Sequence, residues 1–316
     1  MHARLTLAEL PPPPRDRTGW PWTAESAQVD DVTPAGFPWP RITVVTPSYN
    51  QGNFLEATIR SVLLQGYPNL ECIVVDGGST DDSREIIDKY RRWLSYAVSE
   101  PDDGQYAAIN KGFGVSTGAV MTWLNSDDML VSNSLRVVGE IFAAHGDTVR
   151  WLTGISALWD RNGNLGPIAN RPRLNRLLLR LGAYDGVTLP EFLQQEGTFW
   201  ARDLWECSGA RLETSLALAA DFELWRRLAE HADLYVAPTV LAGFRMHPEQ
   251  KTAKFMSSYY REIQACRSTG RWGLFERHRP TRWMRRRLAR LLYHVGQQGN
   301  QLGYDPRSMR WAILRQ

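Results

Sequence analysis

The stretch RITVVTPSYNQGNFLEATIRSVLLQGYPNLECIVVDGG, Arg41–Gly78, decides the fold. It opens with the β-branched run Ile42–Thr46, ended by Pro47, which reads as a buried strand. Leu55, Ile59, Val62 and Leu63 then recur on one helical face. Asn53 with Glu56 reads as a capping box, and Gly66 and Pro68 supply the stop. LECIVVD, Leu70–Asp76, is a second apolar strand. Two strands this apolar, joined by a helix, predict a parallel pair buried on both faces.

The pattern continues outward. GGSTDDS is a turn into the helix DSREIIDKYRRWL, and SYAVSE is a third strand. GQYAAINKGFGVSTG is a helix ending in glycines, and AVMTWLNSDD is a fourth strand. The prediction is an α/β fold: a Rossmann-like, mostly parallel sheet with helices on both faces. Ligands of such sheets bind beyond the carboxyl ends of the strands. Asp76 and the pair Asp127–Asp128 each follow a strand and can therefore share one crevice. Two adjacent carboxylates repel and lose hydration near a core. They are either a solvated turn capping the helix SDDMLVSNSLRVVGEIF, or they hold a cation. RWLTGISALWD with GNLGPIA reads as a hairpin and LNRLLLRLG as a short helix. EGTFWARDLWECSG reads as strand and turn, LALAADFELWRRLAEHA as a helix and DLYVAPTVLAGFRMH as a strand.

The 316 residues are 43% hydrophobic, enough for a sizeable core, and the net charge of +3 is too mild to predict nucleic acid. The three cysteines lack any metal or disulfide spacing and fit a reducing cytosol. No stretch approaches the ~20 apolar residues of a membrane span. No apolar leader is evident, so a cytoplasmic protein is expected. Residues 1–40 are rich in Pro and Trp and read as an extended arm. Trp20, Trp22, Phe37 and Trp39 are costly to leave in water, so the arm is expected to lie on the domain.

Taken in order, TPSYNQGNFLEATIRSVLLQGYPNLECIVVDGGSTDDS, DDGQYAAINKG, WLNSDDM, QQEGTFWARDLWE, AADFELWRRLAE and GFRMHPEQKT closely resemble family-two glycosyltransferases of the GT-A fold. The resemblance covers about residues 41–255. It implies a nucleotide-sugar-binding half over 41–135 and an acceptor-binding and catalytic half over 136–255. The arm and a basic helical tail over 256–316 lie outside it. The implied activity is inverting transfer of a sugar from a nucleotide-diphosphate donor carrying UDP, GDP or dTDP. The acceptor is a carbohydrate or lipid-linked hydroxyl, in polysaccharide or glycoconjugate synthesis. Rival readings are a nucleotidyltransferase and a binding module without catalysis. The first lacks its Gly-rich basic loop here, and the intact acids argue against the second.

The resemblance also implies roles. Thr46, Pro47, Tyr49 and Asn50 line the nucleotide pocket, and Asp76 bonds the base. Asp103, Gln105, Asn110 and Lys111 lie along the nucleotide and diphosphate; Lys111 reads equally as a surface lysine. Asn125, Ser126 and Asp127 occupy the family's Asp-x-Asp position. Asn125 adds no charge, so the metal, Mn²⁺ or Mg²⁺, is expected on Asp127 and Asp128, with His247 as a third ligand or a plain loop histidine. Asp221 matches the catalytic base, though it also fits a helix cap. Glu196 and Trp200 are expected at the acceptor.

In the tail, Arg279, Arg282, Arg285, Arg286, Arg287 and Arg290 flank an apolar stripe of Met284, Leu288, Leu291, Leu292 and Val295. Such a helix docks by its stripe on the domain or lies on an anionic membrane, giving peripheral membrane contact through 279–295.

Overall fold

A computed structural model of the chain describes residues 5–189, 191–268, 279–295 and 300–314. The predicted strand pair lies inside its larger sheet. β1 (Ile42–Ser48) and β2 (Leu70–Asp76) run parallel, from Ile42 opposite Leu70 to Ser48 opposite Asp76. β1 does not stop at Pro47. Its pairing with β4 (Val120–Trp123) ends at Val45, so the missing N–H of Pro47 falls on the β4 side beyond that pairing, while β2 continues opposite it.

α1 (Gly52–Leu63) joins the two strands. The expected capping box of Asn53 and Glu56 does not form. The Asp81 carboxylate accepts from the Gly52 N–H at 2.8 Å, and Ser83 Oγ accepts from Gln51 N–H. A cap from the next loop satisfies the helix start as well as a local one would. Glu56 instead pairs with Lys89 and Tyr90 of α2 (Ser83–Tyr90).

β3 (Tyr96–Ser99) extends the sheet beyond β2, and α3 (Gln105–Val115) returns the chain to the other side of β1 as β4. The local order 3-2-1-4 places a switch point between β1 and β4. That is where an open parallel sheet leaves a crevice. Gly112 allows α3 to approach so closely, since a Cβ there would meet Val45 Cγ1 at 2.5 Å.

After α4 (Ser134–His145) the sheet becomes mixed. β9 (Thr198–Ala201) inserts antiparallel between β4 and β6 (Trp151–Ile155). α6 (Arg202–Cys207) follows where a turn was expected. β10 (Tyr235–Val240) pairs parallel with β6, and β12 (Gln301–Asp305) with β13 (Arg310–Leu314) finishes the edge.

The segment DLYVAPTVLAGFRMH, expected as one strand, is two. β11 (Ala242–Arg245) leaves the large sheet for a small one. There it lies between β5 (Met129–Leu130) and β7 (Ala157–Trp159), with β8 (Leu165–Ile168) completing the predicted hairpin.

The large sheet has apolar layers on both faces. Ile42, Val44 and Val74 meet α1, α2 and α4; Val45, Ile73 and Val75 meet α3, α5 (Arg176–Arg180) and α7 (Ala220–His231). The arm lies on the first layer. Fully buried Arg60 donates to the carbonyl oxygens of Pro11, Pro21 and Trp22, and Trp22 and Trp39 are buried.

α8 (Lys251–Ser268) bends at Phe255, and α9 (Arg279–Val295) is the predicted basic helix. It docks through Ala289, Leu292 and Tyr293; of the expected stripe Leu292 reaches the domain, while Met284, Leu288 and Leu291 are exposed. The side chains of Arg279, Arg282, Arg285 and Val295 lie outside the described residues. Among the described residues, no helix is long and apolar enough to cross a membrane.

Candidate active site

β4 ends at the switch point, and Asn125–Asp128 turn the chain into β5. No helix starts at the acids, because β5 intervenes and α4 begins only at Ser134. The capping explanation therefore fails. The two acids are placed differently. Asp128 is fully buried and accepts from the Arg245 N–H at 2.8 Å and from Asn125 Nδ2 at 3.2 Å. Burial first, then the charges of Asp127 and Glu196, push its carboxyl well above the usual range. Asp127 is half-buried, with its side chain 19% exposed.

The small sheet supplies Asp127 with a partner. Gly243 of β11 faces Met129 of β5, so the chain after β11 passes the acid turn. His247 Nε2 lies 3.0 Å from Asp127 Oδ2, and its Nδ1 lies 3.1 Å from Glu249 Oε2. Burial lowers the His247 pKa, but the bonds to Asp127 and Glu249 outweigh it and leave it raised. Two donors of the types that bind Mn²⁺ or Mg²⁺ thus share one point, with a carboxylate behind the imidazole as metal-bound histidines carry. Among the described residues no three acidic, His or Cys side chains form a complete metal cluster. The pair fits a cation whose other ligands are phosphate oxygens and water.

Glu196, just before β9, is buried, and its Oε1 has no hydrogen-bond partner among the described residues. Burial pushes its carboxyl up to about 7, with the charges of Asp221 and Asp127 adding to the rise. Asp221 is the second residue of α7, and its Oδ1 accepts from the Phe222 N–H. Burial pushes it up to about 6 despite that bond. The N-cap is Ala219, so Asp221 is not the cap. Glu262 of α8 accepts from the N–H groups of Ala217, Leu218 and Ala219 and holds the segment leading to Asp221.

On the nucleotide side, Thr46 and Pro47 are buried in β1, while Tyr49 is exposed beyond its end. Asn50 adopts a left-handed φ of 53° and bonds the Thr80 N–H. Asp76 is fully buried and accepts from Ser79 N–H and Oγ, Gly78 N–H and Ser99 Oγ. Three of these donors meet Oδ2 and one meets Oδ1, so Asp76 shapes the turn while Oδ1 keeps an acceptor position of the kind expected for a base. Asp103 is exposed at the start of α3. Gln105 Nε2 donates to Asn125 Oδ1 at 2.8 Å, and Ser126 is buried with its carbonyl on Thr58.

Three expected residues are employed elsewhere. Asn110 exchanges two hydrogen bonds with the Leu212 backbone, and Lys111 pairs with Glu100. Trp200 is fully buried among Phe113, Trp123, Trp205 and Trp225. Strand alternation turns Trp200 and Phe199 to opposite core layers, so neither meets an acceptor. Lys251 was missed. Its Nζ lies 3.1 Å from Gln105 Oε1, and it feels the charges of Asp127 and Asp102. Its position in GFRMHPEQKT, four residues after His247, was the available signal.

Residues 43–184 match the family described as Glycosyl transferase family 2. An uncharacterized glycosyltransferase of Nostoc sp. is 33% identical over 105 residues, 32% of this chain and 33% of the relative. The chain spans about a third of the length of the first curated relatives it matches. Two solved structures share the fold. Staphylococcus aureus TarS 1-349 in complex with UDP-GlcNAc has a TM-score of 0.57 at 17% identity, covering 73% of this chain and 67% of that one. The mannosyltransferase PcManGT from Pyrobaculum calidifontis, in complex with GDP-Man and Mn²⁺, has a TM-score of 0.57 at 19% identity, covering 87% and 74%. The domain over residues 43–184 therefore belongs to glycosyl transferase family 2, built on a GT-A fold.

Proposed function

We propose that the chain is a metal-dependent, inverting glycosyltransferase that moves a sugar from a nucleotide-diphosphate donor to an acceptor hydroxyl. The observation that carries this is the gathering of Asp127, His247, Glu196 and Asp221 beyond the β1–β4 switch point. Asp127 and His247 would hold the cation, with Asp128 fixing the turn behind them. The cation supplies charge neutralisation to the departing diphosphate. An imidazole ligand favours Mn²⁺ over Mg²⁺. Lys251 offers a second positive charge to the phosphates.

Asp221 takes the proton of the acceptor hydroxyl as that oxygen attacks the anomeric carbon on the face opposite the diphosphate. A carboxyl pushed up to about 6 is a stronger base than an ordinary one and is still ionised at neutral pH. Glu196 holds the acceptor through its unpartnered oxygen. The nucleotide lies against Tyr49, Asn50 and Asp103, with Gln105 and Asn125 at the ribose. UDP and GDP are the first donors to test, given the ligands of TarS and PcManGT. The acceptor is a carbohydrate or lipid-linked hydroxyl.

The test is release of free nucleotide from UDP-, GDP- and dTDP-sugars with and without Mn²⁺. Release from one donor class, dependent on Mn²⁺, is expected. No release from any donor, with no Mn²⁺-dependent nucleotide binding, would sink the reading.

A further inference from the structure

We infer that α9 seats the protein on an anionic lipid bilayer, with an apolar stripe entering the interface and arginines meeting the headgroups. Arg279–Val295 carries six arginines and no acidic residue. Its docked face is Ala289, Leu292 and Tyr293, and Tyr293 Oη donates to Glu191 beneath it. Met284, Leu288 and Leu291 face water instead, at 62%, 51% and 58% exposure. They follow i, i+4, i+7 spacing and so form one stripe, roughly 120° around the helix from the docked face.

The core does not use this stripe, and the charged flank of the same helix selects the occupant. Arg286, Arg287 and Arg290 are exposed; Arg287 lies roughly 65° around the helix from the stripe, with Arg290 and Arg286 farther round the same flank. Anionic headgroups answer the arginines while the acyl boundary takes the apolar side chains. A nucleic acid would satisfy only the charges. A second copy would bring two arginine-rich helices against each other across a two-fold contact. With no spanning helix among the described residues, the contact lies in the membrane plane. This inference is independent of the proposed catalysis.

The experiment is flotation of the full chain with phosphatidylcholine vesicles, with or without about 30% phosphatidylglycerol, at about 50 mM and 500 mM salt. The protein is expected to float only with the anionic vesicles and only at low salt. M284S/L288S/L291S alters exposed positions alone. It is expected to keep its melting temperature and to lose binding by about tenfold or more. R286Q/R290Q is expected to weaken binding roughly fivefold per arginine. Failure of the parent chain to float at low salt would overturn the inference, as would a triple variant that floats like the parent. A dimer in light scattering that the triple variant turns into monomer would assign the stripe to a second copy and overturn it equally.

Discussion

The two sides of the crevice satisfy their polar groups differently. On the nucleotide side, polar groups answer one another: buried Asp76 accepts four hydrogen bonds, and exposed Asn50 and half-buried Gln105 hold loop partners. On the other side, Glu196 Oε1, Gln195 Oε1 and two nitrogens of Arg245 are buried without partners among the described residues. A saturated group stabilises a loop, whereas an unsatisfied one costs about 1–3 kcal/mol until something binds it. The first side is therefore the more nearly saturated, with Ser48 Oγ also buried and without a partner among the described residues, and the second keeps more binding capacity for substrate.

Asp76 gives the hardest test of that contrast. Asp76→Ala strands four donors and is expected to cost about 2–5 kcal/mol in urea unfolding. Were stability unchanged and only base preference altered, the scaffold assignment would be wrong. His247→Ala is next. It should keep the fold and weaken Mn²⁺ binding about 10–100-fold in a titration with nucleotide present; parent-like affinity would remove His247 from the metal site.

Glu196→Gln separates the sides by pH. The carboxyl of Glu196 is raised to about 7 from 4.5, so the folded state holds its proton more tightly than the unfolded chain does. That contribution is full below about pH 4.5 and is lost as pH rises through 7. The variant should match the parent near pH 4.5 and exceed it by about 1–3 kcal/mol at pH 8. A constant difference across that range would place the charge of Glu196 elsewhere. The smallest effect distinguishes two lysines. Lys251→Ala should raise the donor KM several-fold, and Lys111→Ala, which removes an exposed pair with Glu100, should leave it unchanged.

The nucleotide half was legible because its helices and strands follow one period each, and β1, α1, β2, α2, β3, α3 and β4 all lie where their patterns put them. Its errors were of partner, not of element. The cap of α1 comes from Asp81 across a loop, and no local pattern encodes an acceptor 29 residues away. Likewise Asp76 was visible as a strand-end acid, but the four groups that donate to it come from two separate segments.

The second half hid more. Leu241 separates β10 from β11 and switches the chain between sheets, a change that the continuous apolar run conceals. That switch is what carries His247 to Asp127, so the pairing rests on topology rather than on spacing. Trp200 shows the same limit, since aromatic character alone does not say which core layer a strand residue faces. In the tail the stripe was readable, but which face docks depended on where Ala289 and Tyr293 met α5 and its following loop.

The most direct test of the account is Asp221→Asn followed by two readouts on the same protein. Isothermal titration should give nucleotide affinity, with Mn²⁺ present, within about twofold of the parent, because Asp221 is assigned to the acceptor proton and not to the donor. Turnover of the donor sugar onto acceptor should fall about a thousandfold. Turnover close to the parent's would contradict the assignment of Asp221 as the base, and with it the mechanism proposed for this crevice.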